Sequence, residues 1–246
     1  MSLIEIENSL GQVYEQMDGS AEHLAEDEVG IRKTLLKLEE VCYVLRDTTR
    51  IGLCSASELE QGSGRTSMEV LAYLLPLLPQ QLGDRNFMKD HAVRLPYMCG
   101  AMANGIASER LVIAMGEAGL LGSFGAAGLV PSRIEEAIQT IQTSLPEGPY
   151  AFNLIHSPAE DAIERAAAEL FLKHQVKTVE ASAFLDLTPH IVDYRVNGLS
   201  QGPGEQVMIG NRVIAKISRS EVAEKFMRPP PERVLAKLVQ ENRITE

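Results

Sequence analysis

The chain has 246 residues, enough for one large domain or two small ones with a substantial core. Hydrophobic residues at 45% and charged residues at 23% exclude a disordered or low-complexity chain. With 34 acidic against 23 basic side chains the net charge is −11, which argues against nucleic acid as a partner. Cys42, Cys54 and Cys99 are widely spaced with no CxxC pair, so neither a disulfide framework nor a zinc site is expected, and a reducing cytoplasm fits. The start Met1-Ser2-Leu3-Ile4-Glu5 has no basic segment and no long apolar run, so no signal peptide is read there. Apolar stretches are interrupted by charges or glycines before they could span a membrane.

Residues 1–94 form a polar, acidic and irregular region, read as a small α+β segment. Helical spacing of Val29, Leu35, Leu36, Leu38 and Val41 predicts a helix over Glu26 to Val41. Tyr43-Val44-Leu45-Arg46 and Arg50-Ile51-Gly52-Leu53 read as a hairpin around the polar turn Asp47-Thr48-Thr49. Gln61-Gly62-Ser63-Gly64 is read as a loop. Tyr73-Leu74-Leu75-Pro76-Leu77-Leu78-Pro79 is read as a packed connector, because prolines break it.

From Leu95 the rhythm changes to alternating strands and helices. Leu95 to Met98 is the first predicted strand, and Ser108 caps a helix over Glu109–Glu117. Leu120 to Phe124 follows, with Pro131 opening a helix that carries Ile134, Ala137, Ile138 and Ile141. Tyr150 to Ile155 and Thr178 to Phe184 are the next strands, each followed by a helix, begun at Ser157-Pro158 and Thr188-Pro189. Arg212 to Ile217 is the fifth strand; Ser220 caps the next segment, and Pro229-Pro230-Pro231 precedes a helix from Glu232 to Glu241. Strands alternating with helices imply a parallel sheet. The fold expected for 95–246 is therefore a partial (β/α) TIM-type barrel of about five units, short of the roughly 250 residues of a complete eightfold one. Ile244-Thr245-Glu246 reads as a further helix start, as in a truncated chain. Such an open sheet is expected to self-associate or to be marginally stable.

In a β/α barrel the chemistry collects at the C-terminal strand ends. Those ends offer Gly100, Ala101 and Met102; then Gly125-Ala126-Ala127-Gly128; then Asn153 and His156; then Ser182; then Lys216. Small residues at the first two ends either let a flat ring lie against the backbone or simply turn the chain. Met102 can pack under a ring or into the core. Asn153 either bonds a polar ring edge or a neighbouring loop, since a buried amide needs partners. His156 is either a proton donor or a helix-start residue, and Lys216 either faces an anionic group or is solvated. Gly122-Ser123-Phe124-Gly125 lacks GxGxxG spacing, and no Walker loop, HExxH or GxSxG is found.

Gly100-Ala101-Met102-Ala103-Asn104-Gly105-Ile106-Ala107-Ser108 and Gly122-Ser123-Phe124-Gly125-Ala126-Ala127-Gly128-Leu129 resemble the PfaD family, the enoyl reductases of polyunsaturated fatty acid synthases and trans-acyltransferase polyketide synthases. Tyr150 to Pro158, Ala181 to Pro189, Asn211 to Lys216 and Ser218 to Ala223 continue the likeness, which reaches back to Tyr43-Val44-Leu45-Arg46-Asp47 and Leu82-Gly83-Asp84. More distantly the family is similar to nitronate monooxygenases. The resemblance implies an FMN-binding barrel that reduces the α,β double bond of an acyl chain on an acyl carrier protein, within a synthase complex, with NAD(P)H as reductant. It implies that Gly100, Ala101 and Met102 lie along the flavin, that Asn153 bonds its edge, and that Ser182 and Lys216 flank it. It also implies that a Gly-Gly-His segment and phosphate-holding glycine loops follow in longer members. A non-catalytic fragment or interaction subunit, completing its barrel with a second chain or a further copy, and a nitronate monooxygenase-type activity are the alternatives.

Overall fold

The computed structural model describes residues 16–48, 50–61 and 64–245. Met1–Glu5, Thr49 of the polar turn, Gly62 and Ser63 of the loop, and Glu246 lie outside them. The chain forms two compact units, one ending at Leu82 and one beginning at Gly83, whereas the change of sequence texture falls at residue 94.

The first unit is a four-stranded antiparallel sheet of β1 (Gln16–Gly19), β2 (Cys42–Asp47), β3 (Arg50–Ser55) and β4 (Thr66–Leu74), in the order β1-β4-β2-β3. Helix α1 (Glu28–Leu35) is capped by Asp27, whose side chain accepts from Gly30 N at 2.7 Å; α2 (Ala56–Glu60) follows β3. Leu24, Leu45, Cys54, Leu59 and Met68 close the core beneath the sheet. The β2–β3 hairpin matches expectation. The helix expected to reach Val41 stops at Leu35, and Lys37 instead turns to Ser55 Oγ at 3.0 Å and Glu58 Oε1 at 2.7 Å. Tyr73 and Leu74, read as part of a broken connector, end the long strand β4. Pro76 and Pro79 lie beyond it, so they stop the strand rather than prevent it.

The second unit begins with α3 (Arg85–His91) and then alternates β5 (Met98–Cys99), α4 (Glu109–Glu117), β6 (Leu121–Phe124), α5 (Pro131–Ser144), β7 (Ala151–Ile155), α6 (Asp161–Lys173), β8 (Thr178–Ser182) and α7 (Pro189–Val196). A short hairpin of β9 (Leu199–Gln201) and β10 (Val207–Ile209) intervenes before β11 (Arg212–Ala215), α8 (Ser220–Met227) and α9 (Glu232–Gln240). Ser108 and Thr188 cap α4 and α7, while Pro131 and Pro189 occupy first turns, where a missing N–H costs nothing. The strands β11-β8-β7-β6-β5 form one sheet whose neighbours all run parallel. This is the partial (β/α) barrel expected. Among the described residues no helix is long and apolar enough to cross a membrane.

Alternation along each strand sorts the side chains to two faces. Phe124, Phe152, Leu154, Val179 and Ala181 point to the helices and pack with Ile134, Ile138, Phe171 and Ile191. The opposite face carries Met98, Leu121, Ala151 and Ile214, joined by Phe87, Met88 and Val93 from the segment before β5. Met98 and Ile214 belong to the two edge strands, which in a flat five-stranded sheet stand four spacings apart, about 19 Å. One shared cluster is possible only because the sheet curls around it. Its hollow side is the barrel interior.

Two measurements probe these cores. Phe152 is fully buried, with its ring 5.4 Å from Phe124 and 5.5 Å from Phe171, so Phe152→Ala should lower the unfolding free energy by about 3–5 kcal/mol in a denaturant titration. Burial pushes the Cys54 thiol up to about 11, so a thiolate-seeking reagent at neutral pH should leave Cys54 unmodified until the chain is unfolded. Rapid labelling of native Cys54 would contradict this packing.

Candidate functional site

The C-terminal ends of the barrel strands meet at a mouth whose first two loops are laced together through the backbone. Gly105 N donates to Gly125 O at 2.9 Å, Gly125 N to Ala107 O at 3.0 Å, and Asn104 N to Ala127 O at 2.8 Å. Gly125 has to be glycine, since a Cβ there would lie 1.6 Å from the carbonyl oxygen of Met102. Gly128 adopts a left-handed conformation at φ +80°, and a Cβ there would meet Asn104 Oδ1 at 2.2 Å. These glycines therefore serve the close approach of two loops, which holds Gly100, Ala101 and Met102 in place.

Below those loops the inner face becomes polar. Register aligns Asn153 with Glu180 and Ile155 with Ser182, and the alternation puts Ser123, Asn153, Glu180, Ser182 and Lys216 on the hollow side. Asn153 is buried and donates from Nδ2 to Glu180 O at 3.0 Å and to Ser182 Oγ at 2.8 Å. Of its two readings the structure thus displays the bond to a neighbouring segment, strand β8. Its amide nitrogen donates once to the Glu180 carbonyl and once to the Ser182 hydroxyl.

Glu180 has no exposed surface. Its Oε2 accepts from Ala101 N at 2.8 Å, and Lys216 Nζ lies 2.8 Å from its Oε1. The lysine contact is a charge pair whose angle departs from that of a hydrogen bond, so Oε1 is buried beside a cation without a hydrogen-bond donor on line. Ser123 Oγ is likewise buried without a hydrogen-bond partner, and among the described residues these are the two such side-chain oxygens. Both stand on the hollow face. Native proteins leave few buried polar atoms unanswered, and each one is accounted for by strain, a functional role, or a bound water or ion. The ensemble is a buried floor of Ser123, Asn153 and Glu180 beneath an accessible rim of Gly100, Ala101, Met102, Ser182 and Lys216.

His156 is not part of that group. Its Nδ1 faces Glu164 Oε2 at 2.8 Å, its ring stacks on Phe184 at 5.3 Å, and Glu164, buried on α6, also accepts from the Thr188 hydroxyl. These partners belong to the helix side of the sheet, across from Asn153. A cleft of about 940 Å³ between α7, β11 and α8, lined by Ile191, Val213, Phe226 and Arg195, contains none of the residues picked from the sequence. It lies against β11, and Asp90, His91, Arg212 and Arg228 also line it.

The sequence reading overlooked Glu180 and Ser123. The available signal was the alternation Thr178-Val179-Glu180-Ala181-Ser182, which sets a charge between two hydroxyls on one face of a buried strand. Substituting Gly125→Ala should separate the two loops. The expected result is about 1–3 kcal/mol of lost stability and faster proteolysis within 100–107; a variant as stable and as protease-resistant as the parent would contradict the close approach.

Comparison with known proteins places the chain among relatives. The family described as fatty acid synthase subunit PfaD N-terminal domain matches residues 18–76. The chain is similar to one of the polyunsaturated fatty acid synthase subunits of Thraustochytrium sp., 44% identical over 216 residues that cover 88% of this chain and 14% of that protein. It is also similar to polyketide biosynthesis protein PksE of Bacillus subtilis, 43% identical over 68% of this chain and 22% of that protein. Among solved structures it superposes on the enoyl reductase domain of MlnA, from the macrolactin biosynthesis cluster of Bacillus amyloliquefaciens, with a TM-score of 0.65 and 35% identity, covering 68% of this chain and 38% of that one. The chain thus spans less than a quarter of the length of either of the first two proteins.

Proposed function

We propose, from the premise that the chain belongs to the PfaD family, that it carries the N-terminal part of a flavin-dependent enoyl reductase acting on acyl chains held by a carrier protein. The observation that carries the reading is the polar floor and accessible rim on the hollow side of the half-barrel. FMN suits that arrangement. Gly100 and Ala101 offer a rim without bulky side chains, Met102 is exposed at its edge, and Lys216 brings a cation. Bound FMN supplies the two-electron chemistry, with NAD(P)H as the source of reducing equivalents.

The chain's own residues then position and exclude. Ala101, fixed by Glu180, holds the backbone along one side of the ring site, and Ser182, fixed by Asn153, holds the other. Leu121 and Ala151, packed with Phe87 and Met88, fill the hollow beneath. His156, engaged through Nδ1 with Glu164, keeps Nε2 as the nitrogen able to exchange a proton, but its position on the helix side suits it to ordering the β7 and β8 ends. His156 N also donates to Ser182 O at 3.0 Å, which ties it to the rim through the backbone.

The open edges favour a second reading. Among the described residues β11 pairs only with β8, and β5 only with β6. On this reading the chain is one piece of a barrel that a second chain or another copy completes. One titration separates the two. Purified chain mixed with FMN should quench flavin fluorescence stoichiometrically, and NAD(P)H should then bleach the visible flavin band until a carrier-bound enoyl thioester restores it. A chain that leaves FMN free at saturating concentration refutes the first reading. FMN uptake only after another chain is added selects the second, and turnover of an alkyl nitronate but not of the thioester would point to a nitronate oxidation.

A further inference from the structure

A carboxylate without exposed surface is costly to keep in a protein interior unless both oxygens are answered. Glu180 meets that demand in an unusual way. One oxygen takes the N–H of Ala101, in the loop after β5, and the other takes only the charge of Lys216, at the end of β11. Glu180 itself sits in β8, three strand spacings from β5, about 14 Å in a flat sheet and beyond the reach of one side chain. The curl brings the loop to it. Both of its partners are rim residues, one through the backbone and one through a half-exposed side chain, at 51% of its full accessibility. An apolar residue could fill the same volume more cheaply, as Ile214 does beside it in register and Leu121 does lower on the same face.

We propose that Glu180 is a positioning residue of the ring site, which aims the Ala101 N–H and the Lys216 ammonium at the rim and offsets the lysine's charge. The inference rests on the flavin reading of that site and adds a residue and an electrostatic role to it. A bare ammonium beside a bound flavin favours electron uptake by the ring, whereas an ammonium already paired with a buried carboxylate favours it less. Glu180 thus holds the midpoint potential of the bound flavin down while holding its cation still.

The test is the midpoint potential of FMN bound to the full chain, read by spectroscopic titration against reference dyes. Glu180→Gln keeps the size of the side chain and an oxygen able to accept from Ala101 N–H, so flavin should remain bound and its potential should move positive. Lys216→Met, read on protein that still binds flavin, should move it negative. Glu180→Ala, which removes both anchors, should weaken FMN binding about tenfold or more. A purely structural Glu180 would change stability and affinity without these opposite shifts in potential. Flavin-loaded Glu180→Gln with an unchanged or more negative potential overturns the proposal, as does an unshifted Lys216→Met if Glu180→Gln fails to fold. A parent chain that takes up no FMN overturns the flavin reading together with the proposal, so the two failures are told apart.

Discussion

The contact of Glu180 with both Ala101 and Lys216 depends on a sheet that has turned back on itself, and the rest of the second unit is arranged around that turn. Parallel strands twist, and a row of them joined by right-handed helical crossovers presents one face to the helices and coils the other inward. On the helix side, Phe124, Phe152 and Phe171 supply large apolar area in a continuous layer. On the inner side Leu121 and Ala151 pack low in the barrel with Phe87, Met88 and Val93, and Asn153 and Glu180 stand higher up. The buried carboxylate marks the level at which the interior stops being a packed core and becomes a site.

That division of labour fits what the relatives are. The family match falls in the first unit, at 18–76, whereas the predicted site residues all belong to the second. The superposition on an enoyl reductase domain at a TM-score of 0.65 agrees with a barrel whose strands follow one another in chain order. Function in such a fold is carried by the strand ends, and here the first two ends are laced by backbone-to-backbone contact between loops while Glu180 and Asn153 hold Ala101 and Ser182 through their side chains.

Much of the second unit was legible because βα units repeat two strong periods. Caps at Ser108 and Thr188 and prolines at 131 and 189 place three of its helices, and apolar runs bounded by glycine place its barrel strands, to within a few residues. The first unit was less legible. Its strand β4 has one buried residue, Met68, and Leu71, Tyr73 and Leu74 lie exposed, so apolar alternation does not mark an inner face along it. In the site, Asn153, Ser182 and Lys216 were found because they end strands, and Glu180 was passed over because it lies inside one. The functions of Gly125 and Gly128 were ambiguous for a different reason: a sequence shows that a side chain is missing but not which atom takes its space.

The β9–β10 hairpin enters between α7 and the start of β11, at the opposite end of the strand from Lys216. All six of its strand residues are exposed, and Gly204 at its tip, with φ +69°, has nothing within 4 Å of where a Cβ would stand. Evolution and engineering therefore meet little resistance there: chain can be lengthened, shortened or tethered at Gly202-Pro203-Gly204 without moving the strand termini that bear the chemistry. A dye or surface anchor fixed to that tip would stand at the far end of β11 from the mouth and leave the mouth unobstructed.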